Sequence, residues 1–132
     1  MKRFLSICML FVLYFCNSYA QTFTCSDIKT YDKSISARRI QEGKTKMLGT
    51  IVELSFYDKS VKYTQKVDGK TKTFVLDKEN DTKYSFSIKQ ARSTRRIELV
   101  LHKTMGYITS FTLYAYENGS LETEWTYKRN MF

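Results

Sequence analysis

No proline occurs anywhere in the 132 residues, and glycine appears only five times. Without a Pro-, Gly- or Ser-rich tract there is no tether between modules, so the chain reads as one continuous domain. Histidine and tryptophan occur once each, as His102 and Trp125. Three cysteines are present, but Cys8 and Cys16 fall in an N-terminal segment that is expected to be removed, which leaves Cys25 alone. One Cys and one His cannot supply the three or four N/S ligands of a zinc site, and a lone cysteine excludes an intrachain disulfide. A Ser-His-Asp or Cys-His centre needs its nucleophile beside the histidine, and Cys25 is remote from His102 in sequence. No catalytic residue, metal or cofactor is therefore expected.

After residue 20 no apolar run is long enough to span a bilayer. Residues Met1 to Ala20 have the three parts of a secretory signal: Lys2 and Arg3, an apolar run from Phe4 to Phe15, and the cleavage pattern Ser18-Tyr19-Ala20. That run is shorter than the about 20 apolar residues of a transmembrane helix, so it reads as a leader and not an anchor. The alternative is a lipoprotein signal ending at Cys16, although bulky Leu13-Tyr14-Phe15 stand where such sites carry small side chains. A secreted or periplasmic domain over residues 21–132 follows, and a monomer is expected.

What the chain has in quantity is positive charge and aromatic side chains. Its formal charge is +9, with ten Tyr and nine Phe. A basic exported domain suits acidic partners such as anionic polysaccharide or lipid head groups, and Lys-rich strand faces also keep a β protein from pairing at its edges. Nucleic acid is not an expected partner, because export removes the chain from it.

Period-two alternation dominates from residue 48 onward and marks strands. Leu48, Thr50, Val52, Leu54 and Phe56 share one face of a strand at 48–57. Val61 and Tyr63 follow at 60–66, and Asp68-Gly69 supplies a tight hairpin turn into Thr71–Leu76. Tyr84, Phe86 and Ile88, then Ile97, Leu99 and Leu101, give two more inward faces. A long strand at 107–116 sets Tyr107, Thr109, Phe111, Leu113 and Ala115 against Ile108, Ser110, Thr112, Tyr114 and Tyr116. Asn118-Gly119 turns the chain into a last strand at 120–129, with Leu121, Thr123, Trp125 and Tyr127 inward. Residues 22–31 supply an eighth strand carrying Phe23 and Cys25, residues 34–41 a helical turn or an irregular crossing, and 42–46 a polar connection. Seven or eight strands joined by short turns form an antiparallel up-and-down meander, which buries its apolar face by closing into a small barrel.

The outward faces carry several charged and aromatic groupings. Glu122 and Glu124, with Glu98 on another strand, fall on the solvent side, where they pair with lysines and arginines rather than act as catalytic acids. The acidic loop at 77–81 lacks the glycine and terminal glutamate of a helical calcium loop. Arg92, Arg95 and Arg96 cluster on one loop, with Arg38 and Arg39 upstream, and guanidinium groups beside tyrosines grip phosphate, sulfate or carboxylate. Tyr114 and Tyr116, with Tyr57, Ile51 and Ile108, form an outward aromatic surface. The candidate ligand- or anion-binding set is Arg92, Arg95, Arg96, Tyr114 and Tyr116.

From Leu48 through the Asp68-Gly69 and Asn118-Gly119 turns to Trp125, the strand rhythm resembles the small secreted lipocalin-like barrels of Gram-negative bacteria. The resemblance covers about residues 22–129 as a pattern. True lipocalins carry a Gly-x-Trp near the first strand, whereas the tryptophan here is Trp125. The resemblance implies a barrel and an extracytoplasmic setting. Two functions are consistent with it: a non-enzymatic binding module for a small apolar molecule, glycan or exported protein, or a secreted inhibitor acting through the loop at 90–96. The aromatic inward face suggests a filled interior, and a cavity would point to a carrier instead.

Overall fold

The computed structural model describes residues 19–31, 35–67 and 69–130. Most of the proposed signal, together with Asp68 of the first hairpin turn, therefore lies outside the described residues. Eight strands run β1 (Tyr19–Thr30), β2 (Ile51–Phe56), β3 (Ser60–Val67), β4 (Lys70–Lys78), β5 (Lys83–Lys89), β6 (Thr94–Thr104), β7 (Tyr107–Glu117) and β8 (Ser120–Arg129). Each pairs antiparallel with its sequence neighbour, and β1 closes on β8, so the meander is a closed barrel. This is the fold that alternation predicts, and the segment from residue 22 is its eighth strand. That strand starts at Tyr19, two residues before the proposed cut.

Alternation is what buries the core. Val52, Leu54 and Phe56 of β2, Val61 and Tyr63 of β3, and Leu99 and Leu101 of β6 all point inward, and each is buried. Phe23, Leu54, Leu76, Leu99 and Phe111 are almost wholly removed from water. They fill the end of the barrel where β2 turns into β3, β4 into β5 and β6 into β7. Phe111 holds this layer together, with its ring 4.9 Å from Phe23 edge-on and stacked 4.7 Å from Tyr127.

In three places the strands slip register and side-chain parity changes. On β1 the partner sequence passes from Cys25↔Tyr127 to Asp27↔Thr126, so Ile28 is buried along with Phe23 and Cys25. On β7 the partners of His102 and Lys103 are Ser110 and Ile108, with Thr109 as the extra residue. Ile108 is consequently buried and Tyr107 is 70% exposed, the reverse of what unbroken alternation assigns them. On β8 the slip lies between Ala115↔Thr123 and Tyr116↔Leu121, which makes Glu122 the extra residue.

The segment between β1 and β2 is an α-helix, α1 (Ala37–Met47), longer than the single turn expected and running through the supposed polar connection. Ser36 caps it by accepting from the Arg39 backbone N–H at 3.3 Å, and Lys44 and Lys46 sit in the last turn, where the helix dipole favours cations. Its apolar side is thin, only Ala37, Ile40 and Met47 among polar and charged residues, and none of its residues is buried. Met47, at its end, is only partly buried and packs against the core.

The β7–β8 turn shows how local chemistry sets topology. Asn118 and Gly119 both have positive φ, 51° and 82°, as a tight hairpin requires. A Cβ at position 119 would meet nothing within 4 Å, so any penalty there is conformational. Gly119→Val should lower the unfolding free energy by about 1–2 kcal/mol, read as a fall in urea midpoint with unchanged slope.

Candidate functional site

At the end opposite the filled layer, the barrel holds a cavity of about 850 Å³. This end is formed by α1, the β3–β4 and β7–β8 hairpins and the β5–β6 loop. Its size falls within the range of small-molecule sites, about 300–1,000 Å³. The interior is thus half filled and half open, where the aromatic content alone suggested filling throughout.

Pleating explains why the lining changes character with depth. Inward positions recur every second residue, so each strand lays down one side chain per about 6.7 Å along its axis. On β4 the inward series from the mouth is Lys70, Lys72, Phe74 and Leu76. On β6 it is Arg95, Ile97 and Leu99, of which the first two line the cavity and Leu99 lies in the filled layer. Charge surrounds the mouth, Phe74, Phe86 and Trp125 form the middle, and Tyr63, Leu76, Leu113 and Tyr127 form the floor.

The floor carries a polar group inside the apolar wall. The Tyr63 and Tyr127 hydroxyls share a hydrogen bond of 3.1 Å, and the Gln65 amide reaches Thr50 Oγ1 at 3.5 Å. Burial pushes the Tyr127 phenol up to about 12 and holds that of Tyr63 higher still, so both are neutral at any physiological pH. Cys25 is also buried nearby, and loss of solvent raises its thiol above the ordinary range. A thiol held protonated in this way is a small hydrophobe and not a nucleophile.

One wall of the cavity is incompletely closed. Pairing between β4 and β5 is limited to Asp77↔Ser85 and Lys78↔Tyr84, both toward the filled end. Nearer the mouth, Lys70–Leu76 of β4 and Phe86–Lys89 of β5 have no ladder between them, and Phe74 and Phe86 face each other at 6.4 Å between ring centroids. The wall at this seam is therefore closed by the contact of these two rings rather than by backbone hydrogen bonds.

The candidate residues chosen from the sequence are dispersed. Arg95 shares the parity of Ile97 and lines the cavity mouth. Arg96, of opposite parity, also borders the cavity, with its guanidinium held by Glu79 and by Glu98, the latter at 2.9 Å, while Lys83 joins Glu98 at 3.4 Å and Glu79 at 3.6 Å. Within this network the Ser85 hydroxyl, 2.7 Å away, and the Arg96 guanidinium keep the Glu79 carboxyl below its usual range. Arg92 is exposed in the β5–β6 loop. Tyr114 and Tyr116 are half-buried on the outer face with rings 6.5 Å apart, although Tyr116 also reaches the cavity rim. Burial, followed by the Glu124 carboxylate, raises the Tyr114 phenol.

Sequence reasoning missed Lys70, Lys72 and Glu122. The two lysines are inward by simple alternation from Phe74 and Leu76, so the signal was present but is easily read as ordinary surface charge. Glu122, expected outside with Glu124, is turned to the cavity by the β8 bulge. Glu98 stays outside with Arg96 and Lys83, so the two acids do not meet. Among the described residues no group of three His, Cys, Asp or Glu side chains could hold a metal, and no helix is long and apolar enough to cross a membrane. The chain matches no protein-family model and no curated protein.

Proposed function

We propose that the protein is a non-enzymatic, lipocalin-like binding module that is exported and holds one small, largely apolar molecule inside its barrel. The observation that carries this reading is the cavity itself: about 850 Å³, floored and walled by Tyr63, Phe74, Phe86, Trp125 and Tyr127 above a layer of buried apolar side chains. Filling such a space with an apolar ligand releases the water that those rings would otherwise keep ordered. Because β4 and β5 share only two residue pairs, a bulky ligand could enter by parting Phe74 and Phe86 instead of a complete ladder. Tyr114, Tyr116 and the arginines outside are less suited to be the main site, because Arg96 is already neutralised by two carboxylates.

Trp125 is the only tryptophan and lines the cavity, so its emission reports occupancy without a label. Protein purified without denaturant from its secreting host should yield, on organic extraction, close to one small molecule per barrel, and adding that extract to refolded protein should shift Trp125 emission. Ala115, inward on β7 and half-buried, borders the same space. Ala115→Phe should fill part of it, weakening uptake by about tenfold or more while leaving far-UV circular dichroism unchanged. An empty extract together with unaltered Trp125 emission across apolar probes would remove the basis for this reading.

A further inference from the structure

The charges at the mouth are not evenly arranged. Lys46, Lys70, Lys72, Arg95 and Arg96 line it alongside Glu117 and Glu122, and Arg96 is already held by Glu79 and Glu98. Arg95 and Glu117 are cross-strand partners on β6 and β7, so each lies where it offsets the other. Glu122 is likewise engaged by its surroundings, as is Lys46. Lys70 and Lys72 differ: both are exposed, and among the described residues no carboxylate pairs with either. They stand on β4, across the barrel from the carboxylates of β7 and β8 in the strand order.

An inward lysine is an unusual choice on a strand whose next two inward residues are Phe74 and Leu76. A rim needing only hydration could use threonine, which this same strand already places outward at Thr71 and Thr73. Two unpaired ammonium groups leading into an aromatic channel form a site with two chemistries in series. A charged head would be held by charge-assisted hydrogen bonds while remaining partly hydrated, and an apolar tail would run inward over the rings. From Lys72 to Leu76 the strand spans about 13 Å, enough for a medium-length alkyl chain.

We infer that the ligand is an anionic amphiphile, its carboxylate, sulfate or phosphate head set on Lys70 and Lys72 and its tail lying against Phe74, Phe86 and Trp125. This rests on the reading that the cavity holds a ligand at all, and the test separates the two. Purified protein is titrated with dodecanoate, dodecanol and dodecylammonium below their micelle concentrations, and Trp125 emission is followed. Dodecanoate should bind about tenfold or more tighter than dodecanol, with dodecylammonium weakest, and the advantage should shrink in 1 M salt. The double variant Lys70→Glu/Lys72→Glu should lose that preference and favour dodecylammonium, its folding verified by circular dichroism. Because both side chains are exposed, their replacement leaves the core untouched. Dodecyl sulfate and dodecyl phosphate distinguish which anion is preferred. Equal affinity for dodecanoate and dodecanol, or unchanged dodecanoate affinity in the double variant, would overturn the anionic head and leave the cavity reading standing. If none of the three compounds binds, both fall.

Discussion

Phe111→Ala is expected to lower the unfolding free energy by about 3–5 kcal/mol. The ring is fully buried and touches three others: Phe23 edge-on at 4.9 Å, Tyr127 stacked at 4.7 Å and Tyr63 edge-on at 6.5 Å. Truncation removes its transfer free energy and leaves a hole beneath the cavity that the closed ladder cannot collapse to fill. Native stabilities are only about 5–15 kcal/mol, so the loss is a large share of the total. Urea denaturation followed by Trp125 emission measures it. A change under 1 kcal/mol would mean that the packed end is not the source of stability described above.

The second large effect is alkaline. The Tyr127 phenol titrates near 12 when folded, against 10.0 for a free side chain, and that of Tyr63 titrates above it. In both cases burial is the first cause. Above pH 10 the unfolded chain releases protons that the folded barrel retains, so stability must fall as pH rises. Below pH 10 these phenols impose no pH dependence. For Tyr127 alone the two-unit difference corresponds to about 2–3 kcal/mol lost by pH 12. Cys25, also raised by burial, contributes with the same sign. Unfolding free energies measured from pH 8 to 12 should stay level and then decline. Tyr127→Phe should flatten that decline but leave the Tyr63 hydroxyl without its 3.1 Å partner, costing about 1–3 kcal/mol at neutral pH. The double variant with Tyr63→Phe should recover part of that cost, since neither hydroxyl then remains buried and unpaired. An identical alkaline decline in wild type and double variant would show that the pair does not govern it.

How far the sequence could be read depended on the range of each interaction. Strand positions, the Asn118-Gly119 turn and the burial of Val52, Leu54, Phe56, Leu99 and Phe111 follow from the pleat and from positive φ, which are properties of neighbouring residues. Eight strands with short turns and one apolar face then leave closure as the economical arrangement. The helix Ala37–Met47 was legible only as a possible single turn, because its apolar side is thin, Ala37, Ile40 and Met47 among polar and charged residues, and none of it is buried.

The site belongs to a different class of information. Arg95 and Arg96 are adjacent in sequence and both border the cavity, yet Arg96 is tied to Glu79 and Glu98 while Arg95 stands opposite Glu117, because pleating sends neighbouring side chains to opposite faces. Ile108 and Glu122 changed sides through slips in register that depend on which residues of β6 and β7 accept their hydrogen bonds. The unpaired seam between β4 and β5 reflects a ladder that stops after two residue pairs. Alternation states that two faces exist and what each is made of. Which end of the closed barrel is packed and which is hollow was decided only when distant strands met, because a cavity is defined by the walls around it and no single segment contains more than one of them.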